Sequence, residues 1–88
     1  MELAVAFGKV LRRCRKRVGM SQEVLGFESE LERNYISMLE LGQRVPSLTT
    51  LVKLAGPLRM PAWEFMREVD IELGTDLRTY DERTSQTN

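Results

Sequence analysis

The stretch SQEVLGFESELERNYISMLELG, residues 21–42, does most to restrict what this chain can become. It reads as a short helix, a tight turn and a second short helix. Ser21 suits the first N-cap, where its hydroxyl accepts from a free backbone N–H. Val24, Leu25 and Phe27 follow, with Leu25 the best core candidate. Gly26 costs roughly 1 kcal/mol of helix propensity relative to Ala, and such a minimal side chain suits close approach by a neighbouring helix. Ser29, Glu30 and Leu31 make the turn. The second helix is expected from about Arg33 to Leu41, anchored by Tyr35, Ile36 and Leu39. Ile36 and Leu39 share a face at i, i+3, which turns Arg33, Asn34, Ser37, Met38 and Leu41 outward. Gly42 closes the unit.

The flanking segments carry the same period. Leu3, Phe7, Leu11, Cys14 and Val18 recur every three or four residues, marking an amphipathic helix that ends near Gly19. After a loop from Gly42 to Pro46, Ser47 can cap a further helix, whose buried side would be Leu48, Leu51, Val52, Leu54 and Ala55. Gly56-Pro57 should stop it, since proline lacks a donor and crowds the preceding turn. Pro61 stands where a first helical residue is expected. Ala62, Phe65, Met66, Val69 and Leu73 then continue at helical spacing to Gly74. Val69, Ile71 and Leu73 also alternate, so a short strand after a shorter helix is the competing reading. Four or five helices joined by short connections predict an all-α domain with one core over residues 1–74. Residues 75–88 are expected to be a polar tail, partly disordered or part of a dimer interface.

At 88 residues, there is too little apolar surface for two cores. Cys14 is the single cysteine and histidine is absent, which excludes an internal disulfide and a cysteine-rich metal site. Cys14 lies on the apolar stripe and has no histidine to activate it, so it reads as a small core residue. No metal, cofactor or catalytic site is expected. No apolar run approaches the roughly 20 residues that span a bilayer, and no signal peptide is evident. A cytoplasmic protein without membrane association is expected. Thirteen basic residues balance thirteen acidic ones, but unevenly: six cations stand within residues 1–17, while the chain beyond Pro61 is mostly acidic. Such a division can leave one basic pole for a polyanion on a neutral protein, or simply solvate two helix faces.

Taken in order, Phe7-Gly8, Leu11, Arg15, Gly19, Ser21-Gln22-Glu23, Leu25, Ile36-Ser37, Leu39-Glu40, Gly42, Pro46-Ser47-Leu48, Thr50-Leu51 and Lys53-Leu54-Ala55 resemble the lambda-repressor-like helix-turn-helix family. That family includes phage repressors, Cro proteins and restriction-modification controller proteins, and the likeness spans about residues 7 to 70. It implies a compact four- to five-helix domain whose third helix enters the major groove of double-stranded DNA. The matching base-contact positions are Gln22, Glu32, Arg33, Asn34, Ser37 and Met38. Arginine can pair bidentately with guanine and asparagine with adenine, so Arg33 and Asn34 are chemically fit for the role. Ser21, Tyr35, Gln43 and Arg44 are matched to phosphate contacts, which position without specifying. Arg15 and Glu40 match a structural ion pair tying the first helix to the third. Trp63, Met66 and Val69 match the segment through which many members form two-fold dimers.

Glu30 occupies a turn position where the family commonly has glycine, and Glu32 replaces the usual small hydroxyl before the third helix. Glu32 can accept from cytosine N4 or repel phosphates. Met38 and Leu41 are apolar where polar contacts are common, and would meet thymine methyls or a protein partner. The leading expectation is a transcriptional regulator that binds a palindromic operator as a homodimer. The alternative is an antitoxin-like protein-interaction component with DNA binding secondary.

Overall fold

The computed structural model describes residues 1–74. Its five helices are α1 (Leu3–Arg17), α2 (Gln22–Ser29), α3 (Arg33–Glu40), α4 (Leu48–Ala55) and α5 (Ala62–Leu73). No strand occurs among the described residues, so the alternation of Val69, Ile71 and Leu73 belongs to a helix. Val69 is fully buried there, while Ile71 is exposed. The expected tail, residues 75–88, lies outside the described residues. Among those described, no helix is long and apolar enough to cross a membrane.

The ends follow from local chemistry. Ser21 and Ser47 cap α2 and α4 by accepting from Val24 N and Thr50 N, both at 3.1 Å. Pro61 is not the first helical residue; it is the N-cap of α5, with an extended ψ of 151°. At the end of α3, Gly42 adopts a φ of +73°. Its N–H reaches Leu39 O, and that of Gln43 reaches Met38 O at 2.9 Å. These two bonds satisfy orphan carbonyls in the last turn.

The core sits where α1 crosses α3 and α5. Phe7, Val10, Leu11 and Cys14 of α1 meet Ile36 and Leu39 of α3, while Phe65 and Val69 close the α5 side. The Phe7 and Phe65 rings lie 5.2 Å apart at a 55° tilt, within the favourable range for aromatic pairs. Gly8 permits the α1–α3 approach, because a Cβ there would collide with the Leu39 and Glu40 carbonyl oxygens. Gly26 does the same within the helix pair, since its Cβ would stand 2.7 Å from Leu31 O.

Several apolar residues placed inside by periodicity lie outside. Leu3, Leu48 and Val52 are exposed. The apolar arc of α4 is wider than the roughly 100° stripe one core contact needs. Thr50, Leu51, Leu54 and Ala55 take the inward side, leaving Leu48 and Val52 on the rim.

Candidate nucleic-acid interface

The outward face of α3 is built by burying the other one. Ile36 and Leu39 are fully enclosed, which leaves Arg33 and Asn34 exposed at the first turn and Ser37 and Met38 half-buried behind them. Glu32 is the N-cap, extended at ψ 143° and making no side-chain cap bond. Its carboxylate closes none of the N-terminal N–H groups, although a negative charge at this end of the helix suits the dipole. Arg44, past the Gly42 turn, returns to the same side. Together with Glu30, Glu32, Asn34, Tyr35 and Met38 it lines an open hollow of about 440 Å³. The Tyr35 hydroxyl at its edge lies 3.2 Å from Thr50 Oγ1 of α4.

Glu30 caps α2 in the left-handed conformation, φ 59° and ψ 40°. That is the conformation for which glycine is normally used, so the turn carries side-chain strain of about 1 kcal/mol. Glu28, Glu30 and Glu32 are all exposed, and the turn is acidic beside the basic Arg33.

A second recess of about 230 Å³ lies between α1, the start of α2 and the end of α3, lined by Arg12, Arg15, Gln22, Ser37, Glu40 and Leu41. The expected Arg15–Glu40 pair forms its floor. Arg15 Nε donates to Glu40 Oε2 at 2.6 Å and Nη2 to Oε1 at 2.9 Å. The two side chains are only 11% and 4% exposed. The Glu40 hydrogen bond outweighs desolvation and holds the Arg15 guanidinium above its ordinary pKa. Gln22 donates to the same carboxylate at 3.1 Å. Arg12 joins this recess although it was not singled out in the sequence. Its place opposite the apolar stripe of α1 is the signal that marked it as outward.

The basic run of α1 does not form one pole. Arg13 pairs with Glu72 at 3.0 Å, and Arg17 with Glu68 at 3.2 Å, so cations and anions from the two ends of the domain meet across α1 and α5. Lys9, Arg12 and Lys16 are exposed. Cys14 sits beneath this seam, its Sγ 3.9 Å from Glu68 Oε2. Burial, assisted by the Glu68 charge, raises the thiol pKa, as expected for a core residue.

Among the expected interface residues, Trp63 is 68% exposed and Met66 is partly so, but Val69 is fully buried in the domain's own core. Val69 presents no surface to a partner, because it lies on the α5 face packed against α1. Met66 instead borders an apolar groove of about 230 Å³ with Leu3, Phe7, Val45, Leu48 and Leu51. Val45 and Leu48 in this groove, and the exposed Val52 on the same helix as Leu48, were missed as surface candidates; the over-wide apolar arc of α4 was the available signal. Among the described residues, no cluster of three or more His, Cys, Asp or Glu side chains is placed to hold a metal.

A helix-turn-helix family model matches residues 11–62. The control protein C.MunI of Mycoplasma is 31% identical over 72 residues, covering 81% of this chain and 97% of that protein. The crystal structure of the restriction-modification controller protein C.AhdI from Aeromonas hydrophila is similar at 42% identity and a TM-score of 0.67, over 75% of this chain and 94% of that one. The structure of C.Esp1396I bound to a 25 base pair operator site is similar at 27% identity and a TM-score of 0.76, covering 85% of this chain and 99% of that one.

Proposed function

The chain belongs to the XRE-type helix-turn-helix family of DNA-binding transcription regulators, and from that premise we propose that it binds a palindromic operator as a homodimer, with α3 in the major groove. The observation that carries this reading is the division of α3. Its inner face is locked by Ile36, Leu39 and the buried Arg15–Glu40 pair, while Arg33 and Asn34 stand free at its leading turn. A rigid helix with its N-terminal side chains exposed is what base reading requires. Arg33 and Asn34 read guanine and adenine edges, and Glu32 accepts from cytosine N4. Ser37, Met38 and Gln22 complete the base-facing set. Ser21, Tyr35, Gln43 and Arg44 hold phosphates on either side. The chain acts by binding rather than catalysis, in the cytoplasm.

One eight-residue helix reads few base pairs. A second copy docks on the apolar groove lined by α1, the loop before α4, α4 and Met66 of α5, together with the exposed apolar residues of α4 and α5 outside it. Leu48 at 81% exposure, Val52 at 64% and Trp63 at 68% are poor solvent-facing choices unless another surface covers them. The dimer face therefore comprises Trp63 and Met66 with Val45, Leu48 and Val52. The resemblance to control proteins favours regulation of restriction-modification genes, and adjacent methyltransferase and endonuclease genes would support that assignment. The binding reading is tested by selection from a random DNA pool. An enriched inverted repeat whose binding weakens steeply with salt is expected; no enrichment at low salt contradicts it. Arg33→Ala should lose about 1–3 kcal/mol at one symmetric base position, and Arg44→Ala should weaken all sequences alike.

The outward face of α2 favours a second, protein-binding reading. Phe27 is 85% exposed and Val24 45%, at the centre of a face flanked by Glu23 and Glu28. An aromatic set among carboxylates suits a basic protein surface and not a phosphate backbone. If a partner docks there, Phe27→Ser alters regulation of a reporter gene while operator affinity in purified components is unchanged. Equal loss of both would discard the partner.

A further inference from the structure

Gln22 in the first turn of α2 and Glu40 in the last turn of α3 meet through one hydrogen bond, Nε2 to Oε1 at 3.1 Å. Glu40 has little freedom to do otherwise. Arg15 holds both of its oxygens, and Arg15 is anchored in turn by Nη1 donating to Met20 O at 2.9 Å. A glutamine side chain standing free can rotate its amide by half a turn, exchanging donor for acceptor at little cost. A carboxylate only accepts, so Gln22 beside Glu40 must turn its NH₂ inward. Its carbonyl oxygen and its second N–H are then the groups available on the recess shared with Arg12 and Ser37.

We propose that Glu40 is a positioning residue for DNA recognition: clamped by Arg15, it sets the donor–acceptor sense in which Gln22 meets the duplex. This rests on Gln22 being a DNA contact, as proposed above. The Arg15–Glu40 pair then has a task beyond joining α1 to α3. A fixed amide presents one hydrogen-bonding order and rejects its reverse, and it loses little side-chain freedom on binding. Glu40→Gln keeps the size of the side chain but offers an amide that can donate as well as accept. The constraint on Gln22 is thereby removed.

The test is a double-mutant cycle between Gln22→Ala and Glu40→Gln, read as affinity of the full chain for the selected operator, with urea unfolding followed on the same samples. Glu40→Gln is expected to weaken binding about tenfold when Gln22 is present and less than about twofold when it is Ala, because coupled residues are non-additive. Equal losses in both backgrounds overturn the proposal and leave Glu40 a purely structural residue. No loss from Gln22→Ala itself overturns the contact on which the proposal stands, a distinguishable failure. Should Glu40→Gln not fold with Arg15 left unpaired, the cycle is run with Arg15→Met and Glu40→Gln combined, which removes the buried cation. The same two patterns then decide.

Discussion

Glu30 holds α2 to α3 through a left-handed backbone that its side chain makes costly. Glu30→Gly should therefore stabilise the domain by about 0.5–1 kcal/mol, the relief of strain being partly offset by a looser unfolded chain. Urea unfolding measures it, and a less stable variant would mean that the carboxylate contributes more than its backbone costs. Cys14 makes a different prediction. It is an acid whose folded pKa lies above the ordinary value of 9.0, through burial first and the Glu68 charge second. Its contribution to folding is then complete below pH 9 and is lost as pH rises through the folded value. A disulfide reagent at pH 8 should label it only as fast as the domain opens; rapid labelling without denaturant would contradict its burial. At this scale the sequence was informative wherever one residue's chemistry decides the outcome. The caps Ser21 and Ser47 and the special position of Glu30 belong to that group. Val69 did not, because helical spacing marks an apolar residue without saying whether its own core or a partner covers it.

Four of the helices were legible from a strong 3.6-residue period; α2, which buries Leu25 but exposes Val24 and Phe27, was legible from its Ser21 cap and the turn that follows it. The joins between them were less so. Arg13 meets Glu72 across 59 residues of sequence, and no local pattern pairs them; the two charge runs therefore looked like separate poles when they form one seam. Leu48 and Val52 looked buried because an apolar arc records hydrophobicity and not depth. Gly8 is the element-scale position with the sharpest consequence. A methyl group there runs into backbone oxygens of the last turn of α3, beside Glu40. Gly8→Ala should cost about 1–3 kcal/mol by overpacking. It should also weaken operator binding beyond what the unfolded fraction explains, since α3 must shift against α1. Thermal unfolding and operator affinity measured together test this, and unchanged values for both would show that the crossing is not tight.

For the whole molecule, the proposed dimer makes the apolar groove and the outward face of α3 act together. Val52→Glu and Leu48→Glu touch exposed positions and should change monomer stability by no more than about 0.5 kcal/mol, while shifting the sedimenting species from dimer to monomer. Dimers that persist in both variants would move the interface off α4. In the proposed dimer, two copies of α3 read two half-sites in fixed register. Half-sites on one face of B-DNA repeat every 10–10.5 base pairs, about 34 Å. The direct measurement is affinity for the selected operator against the same operator with five base pairs inserted at its centre. Rotating one half-site to the opposite face should reduce affinity to that of a single half-site. Undiminished affinity for the lengthened operator would contradict a rigid two-fold dimer reading DNA through α3.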